Sequence, residues 1–299
     1  MTVRKAIFCV AGAGTRFLPA TKAQPKEMLP LVDKPMVQYF VEEAADAGIK
    51  EIIFVTGRGK DAIENHFDKS LELERLLSER KRDEHLASLR KIHDLANFAY
   101  VRQPVQKGDG HALLCAEHFI DRDESVLVVF PDYLMPRENN TFKKMIAAYE
   151  RTNATITALD EVPQNVVDQY GVVKFSETDH VDELAIEEFI EKPTVEQAPS
   201  NFINTGYFII TSDFIRLLKL HRPAEQGGEI RVADVMTKWC HAGKPILGIR
   251  PVKPGYDCGS KIGFLKATVD IALSRDDLRD DLLEFLQSHV ELMQEKPAA

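Results

Sequence analysis

Residues 6–35 read AIFCVAGAGTRFLPATKAQPKEMLPLVDKP: an apolar, strand-like run over Ala6–Val10, then two glycines, an arginine and three lysines where a strand would give way to a helix or loop. Gly12 and Gly14 take dihedrals closed to other residues and let backbone N–H groups approach an anion, while Arg16 and Lys26 add formal positive charge. The stretch points to a polyphosphate ligand at the end of a β-strand. Two other phosphate motifs are excluded by what is missing. A dinucleotide fingerprint needs a third small residue to seat its helix on the strand, and Phe17 stands there. A P-loop needs Gly-x-x-x-x-Gly-Lys-Ser/Thr, which no segment supplies, Gly57-Arg58-Gly59-Lys60 included. A plain glycine-rich turn in a βα unit would explain Gly12 and Gly14 but not the order of Arg16, Pro25, Lys26, Pro30 and Pro35.

Outward from this stretch, β-rich runs recur at residues 5–11, 51–56, 98–103, 125–130, 154–160, 171–175, 202–210 and 246–252, with helix-like segments between them. The alternation predicts an α/β fold, a mixed but mostly parallel twisted sheet with helices on both faces, and puts ligands beyond the carboxyl ends of its strands. Residues 35–47 read as a helix opened by Pro35 and closed by Gly48. Residues 70–96 read as an exposed amphipathic helix or helical pair. Residues 261–295 form a helical C-terminus with an apolar stripe of Ile262, Leu265, Val269, Leu278, Leu282, Phe285, Leu286 and Val290. That stripe packs by default on its own domain, the alternative being a subunit interface. No repeat or composition break divides the chain, so residues 1–299 are expected to form a single domain.

Net charge is -9 over 299 residues, which argues against nucleic acid as a partner and makes the cations at residues 16–34 more telling. Cys9, Cys115, Cys240 and Cys258 show no CxxC pairing and read as buried, reduced thiols of a cytoplasmic protein. No apolar run approaches the roughly 20 residues that span a bilayer, so no membrane partner is expected.

Further segments carry chemistry. Val126–Phe130 is a continuous apolar run of the kind found in central parallel strands, and Asp132 follows its carboxyl end. Asp257 lies in a second, glycine-flanked turn, GYDCG; if the two carboxylates converge, they offer a magnesium ion the hard oxygen ligands it prefers. In EKP, Pro193 biases Lys192 to an extended backbone, and Glu191 and Lys192 face opposite sides of a strand. Tyr170-Gly171 and Asn204-Thr205-Gly206 suit a sugar ring. In the turn entering a helix at residues 102–112, Gln103 offers an amide to a pyrimidine edge, Gly108 permits close approach of a base, and His111 positions the loop. Each loop residue has a plainer reading, as a cap, a turn or a surface ion pair.

Taken in order, GAGTRFLPATKAQPKEMLPLVDKP, QKGDGHA, FPD, YGV, EKP, APSNFINTG, GGEI and GYDCGSKIGFLKA resemble the sugar nucleotidylyltransferase superfamily and, within it, the bacterial UTP:glucose-1-phosphate uridylyltransferases, over about residues 5–273. The resemblance implies a Rossmann-like nucleotidyltransferase fold and transfer of a uridylyl group from UTP to α-D-glucose 1-phosphate with Mg2+. It implies that Ala11, Gly12, Gly14, Thr15 and Arg16 wrap the nucleotide and that Lys26 lies against its phosphates. Gln103 and Gly108 would read uracil, and Asp132 and Asp257 would bind the metal. Gly171, Glu191 and Gly206 would hold the glucosyl hydroxyls, and Lys192 the sugar phosphate. A homodimer or homotetramer is implied too. The chain departs from the family pattern at Tyr133, usually a second aspartate, at Asp109, usually leucine, and at Ser260, often an acid. Two alternatives stay open. One is thymidylyl transfer, since uracil and thymine differ by one methyl. The other is a catalytically silent nucleotide-sugar binder, which would be expected to have lost one of Arg16, Lys26, Asp132, Lys192 or Asp257. A dinucleotide-dependent oxidoreductase fails at Phe17.

Overall fold

The unbroken apolar character of residues 6–8 and 126–129 has a plain cause: these residues are buried, with helices covering both sheet faces. A computed structural model describes residues 2–223 and 228–295. Its strands are β1 (Lys5–Cys9), β2 (Pro30–Leu31), β3 (Lys34–Pro35), β4 (Glu51–Thr56), β5 (Asn97–Arg102), β6 (Ser125–Val129), β7 (Tyr133–Leu134), β8 (Thr155–Glu161), β9 (Gly171–Glu177), β10 (Glu183–Glu191), β11 (Phe202–Thr211), β12 (Ile246–Ile249) and β13 (Tyr256–Asp257). The helices are α1 (Met36–Asp46), α2 (Asp61–Phe67), α3 (Leu71–Glu79), α4 (Asp83–His93), α5 (Asp109–Cys115), α6 (Thr141–Thr152), α7 (Ser212–Leu220), α8 (Val232–His241), α9 (Lys261–Leu273) and α10 (Arg279–Glu295).

Nine strands join in one sheet in the order β5-β4-β1-β6-β11-β8-β12-β10-β9. The first four are mutually parallel, and β8 and β12 are parallel, but β11 and β10 run antiparallel to both of their neighbours. The sheet is therefore mixed, as expected, but not mostly parallel. Alternate side chains feed two cores, Phe8 and Phe54 on the face covered by α1, α2 and α6, Ile7 and Ile53 on the face covered by α5, α7 and α8.

The far edge curls back. Ile203 of β11 pairs with Asp160 of β8 and also with Val172 of β9. Register breaks between Asn204 and Phe208 and between Ile186 and Glu188 accompany the bend. This curl brings the start of β9, the end of β10 and the start of β11 to one place.

The expected runs match to within two residues except at residues 10–11 and 250–252, which lie beyond strand ends; of β10 only the end, at Glu191, is expected, and the two-residue strands β2, β3, β7 and β13 are not. The helical pair over residues 70–96 is α3 and α4. The C-terminus is two helices, and its stripe is only partly covered: Ile262, Leu265, Phe285 and Val290 are exposed. All four cysteines are free, Cys258 buried and the other three half-buried.

Candidate active site

β1 and β6 are parallel neighbours with Phe8 opposite Val129, so the chain leaves both strands at the same edge. One exit supplies Ala11 and Gly12, the other Asp132. Two hollows open there, of about 370 Å³ and about 620 Å³, and share Asp109, Phe130, Asp132, Glu191 and Ala233 as walls. Ala11, Gly12, Lys26, Gln103 and Gly108 line the first, Arg16, Gly171, Lys192, Gly206 and Asp257 the second. Gly14 and Thr15 line neither. Gly14, at φ +66°, accepts a hydrogen bond from the Thr21 hydroxyl at 2.7 Å, and a Cβ there would stand 3.2 Å from Lys26 Cβ. It shapes the loop that delivers Lys26.

Charge is concentrated where the hollows meet. Lys26 Nζ donates to Asp132 Oδ2 at 2.9 Å. Burial pushes the Lys26 ammonium down, but the carboxylates of Asp132 and Glu27 outweigh it and hold the group above its usual value. The β7–β13 ladder pairs Tyr133 with Asp257 and so sets the second carboxylate beside the first. Gly259 N–H donates to the Asp132 carbonyl at 3.1 Å and to Asp257 Oδ1 at 2.9 Å. A Cβ on Gly259 would lie 2.9 Å from Asp257 Oδ1, 3.3 Å from an Arg16 guanidinium nitrogen and 3.8 Å from Asp132 Oδ2. Three residues separated by up to 241 positions thus crowd around a single point.

Tyr170 donates from its hydroxyl to Asp257 Oδ2 at 3.2 Å. A Cβ on Gly171 would come within 3.1 Å of Glu191 Oε2, and Gly206 takes φ +83° against Phe130. Lys192 is not extended, as Pro193 would favour, but left-handed at φ +47°, with its N–H donating to the Tyr170 carbonyl at 3.0 Å. That bond ends the β10 ladder and turns the chain beside the second hollow.

The 103–112 loop is built differently from expectation. The Gln103 amide donates to the Gly108 carbonyl at 3.0 Å and lies 3.1 Å from His111 Nδ1, so its nitrogen is committed within the loop and its oxygen is the freer end. Gly108 has φ +98°, and a Cβ there would stand 2.5 Å from the Ile230 carbonyl oxygen. Residue 230 by itself therefore demands a glycine here. Ile230 N–H donates to Lys107 O, and Gly110 N–H returns to Ile230 O, each at 2.8 Å. The GGEI segment is therefore a partner of this loop, although its Gly227 lies outside the described residues.

Three side chains, Gln106, Glu27 and Lys60, escaped the sequence reading, and a fourth, Asp109, appeared there only as a departure from the family pattern. Gln106 donates to the Ala11 carbonyl at 2.7 Å and joins the two loops of the first hollow. Asp109 Oδ1 accepts from Gly110 N and Val232 N at 2.7 and 2.9 Å; one edge opens to the cleft, yet crowding by protein, with Glu191 and Glu229 near, pushes its pKa up to about 6. Glu27 pairs with Lys60 at 2.7 Å with both side chains buried, and burial pulls the Lys60 ammonium down. Among the described residues Glu27 Oε1 has no partner. The PKEMLP motif named the neighbourhood of Glu27, but only the fold supplies Lys60.

No group of three or more His, Cys, Asp or Glu side chains placed to hold a metal occurs among the described residues. The available set is the Asp132–Asp257 pair, two hard oxygen donors with room beside them.

The nucleotidyl transferase family model matches residues 5–273. A Bacillus subtilis protein named UTP-glucose-1-phosphate uridylyltransferase YngB is 42% identical over 287 residues, covering 95% of each chain. The UTP-bound UGPase of Acinetobacter baumannii superposes with a TM-score of 0.86 at 35% identity, covering 97% of this chain and 99% of that one. A UDP-glucose pyrophosphorylase complexed with UDP-glucose gives 0.81 at 36% identity, covering 91% and 100%. With the cleft geometry and these likenesses together, the chain belongs to the nucleotidyl transferase family.

Proposed function

We propose that the protein transfers a uridylyl group from UTP to α-D-glucose 1-phosphate, releasing pyrophosphate and UDP-glucose. The observation that carries this reading is the meeting of Arg16, Lys26, Asp132 and Asp257 where two hollows join, with Lys192 lining the second hollow. The first hollow suits the nucleotide, with Ala11 and Gly12 against the phosphates, Gln103 facing the base and Gly108 shaping the loop. Gly14 and Thr15 act indirectly, by shaping the loop before Lys26. The second suits the sugar phosphate, with Gly171, Glu191 and Gly206 at the hydroxyls and Lys192 at the phosphate.

Chemistry follows from charge. An oxygen of the sugar phosphate attacks the α-phosphorus of UTP in line, its P–O bond to the pyrophosphate breaks, and the electron pair leaves with that group. The nucleophile is already anionic, so no general base is needed, and alignment with charge stabilisation by Arg16, Lys26 and Lys192 does the catalytic work. Asp132 and Asp257 would hold a Mg2+ ion, which takes its remaining oxygens from phosphates and water. When bound it would neutralise charge developing on the transferring phosphate.

The partly bare face of α9 and α10 supports a self-associating enzyme, and the free thiols suit a reducing cytoplasm. Thymidylyl transfer is the second reading, since uracil and thymine differ by one methyl and Asp109, in the loop carrying Gln103, departs from the family pattern beside the base. The test is pyrophosphate release across a matrix of nucleoside triphosphates and sugar 1-phosphates with Mg2+. We expect the highest kcat/KM with UTP and glucose 1-phosphate; a preference for dTTP would move the specificity. Silence with every pair, alongside tight UDP-glucose binding, would replace the enzyme with a nucleotide-sugar binder.

A further inference from the structure

Tyr133 stands between the two carboxylates in the fold: Asp132 precedes it in the chain, and Asp257 faces it across the β7–β13 ladder. Its side chain is buried, and its hydroxyl donates to Asp160 Oδ2 at 2.7 Å. Asp160 belongs to β8, in the middle of the nine-stranded sheet, and is 1% exposed. The same oxygen accepts from Gly255 N–H at 2.6 Å, while Oδ1 accepts from Glu161 N–H at 2.8 Å. One rigid carboxylate therefore grips both strands of the small ladder, β7 through the phenol and β13 through the residue just before it.

Packing tightens the arrangement. A Cβ at Gly255 would lie 2.7 Å from Tyr133 Cε1, so the ring rests directly on the turn that leads to Asp257. The Tyr133 ring meets Tyr170 edge-on at 6.5 Å, and Tyr170 is the residue that donates to Asp257 Oδ2. The Tyr133 carbonyl is held in turn by the Tyr207 hydroxyl.

We propose that Tyr133 is a positioning residue whose hydrogen bond to Asp160 fixes the spacing of Asp132 and Asp257, and so sets how strongly a divalent cation couples to bound nucleotide. The inference rests on the reading of those two aspartates as metal ligands. Magnesium demands a near-ideal octahedron at short distance, so a loosened pair of carboxylates penalises it more than it would a larger ion. Groups that orient metal ligands from behind are typically worth about 10- to 100-fold in metal affinity.

The test is calorimetric titration of the whole protein with UTP and no sugar phosphate, once with EDTA and once with saturating Mg2+. The ratio of the two affinities is the coupling factor. In Tyr133→Phe we expect this factor to fall about tenfold while UTP affinity in EDTA stays within about twofold. Gly255→Ala sets a Cβ against the Tyr133 ring, Met135 Sδ and the Leu134 carbonyl, displaces the turn that leads to Asp257 and is expected to lose coupling as Tyr133→Phe does, which keeps the question decidable if the phenylalanine variant does not fold. Asp257→Ala separates the two levels. If it keeps the full factor, the metal reading fails and this inference with it. If it abolishes the coupling while Tyr133→Phe and Gly255→Ala both retain it, the metal reading stands and the positioning role of Tyr133 is overturned.

Discussion

Lys192 holds a left-handed backbone immediately before a proline, a costly conformation for a non-glycine residue, and it does so beside the second hollow. Its side chain is exposed to the cleft and the Asp132 side chain is 42% exposed, so neither supports the core. Lys192→Ala and Asp132→Ala should therefore each lower kcat by about 10²-fold or more while the melting temperature stays near that of the parent. Pyrophosphate release at a near-normal rate by either variant would strip that residue of its assignment. Arg16, Lys26 and Asp132 were legible in the sequence because each follows a strand signal at a place where α/β folds gather ligands. The left-handed turn at Lys192 and the reason for Gly108 were not. Both are dictated by distant backbone, the Tyr170 carbonyl in one case and Ile230 in the other.

Helix α6 begins under a carboxylate borrowed from α1. Glu43 Oε1 accepts from Phe142 N–H at 3.2 Å, and burial pushes its pKa from 4.5 to about 7 despite that bond. The folded chain therefore binds this proton more tightly than the unfolded chain, and between about pH 4.5 and 7 the unfolded state is the one that has released it. The stability this provides is fully present below 4.5 and is lost as pH rises through 7. Glu43→Gln keeps an acceptor for Phe142 without a charge to bury. Denaturant melts should show the variant about equal to the parent near pH 4.5 and about 1–3 kcal/mol more stable at pH 8. Parallel pH profiles for the two proteins would show that the carboxylate is not penalised by burial. Element by element, the apolar runs announced β1, β4 and β6, whereas β10, ELAIEEFIE, hid behind its glutamates and a register break. Strand propensity is weak evidence when polar residues alternate on an exposed face.

At the scale of the molecule, strand order was beyond the sequence because it is made by pairings across long stretches of chain. β1 sits between β4 and β6, and β9 returns to touch β11. The site depends on that order, since the first hollow draws on the β1, β5 and β6 edge and the second on the curled edge of β9, β10 and β11. The apolar interior lies on both faces of the same sheet, so neither half has a core of its own. A nucleotide held at the junction should then stabilise the whole chain as one unit. At 100 times its Kd, UTP with Mg2+ adds about 2.7 kcal/mol, which for a chain of this size raises Tm by roughly 4–6 °C. Calorimetry should show one transition that moves intact with nucleotide. Two transitions, of which UTP shifts only one, would mean that the sheet melts in separable parts and that the chain is not a single cooperative domain.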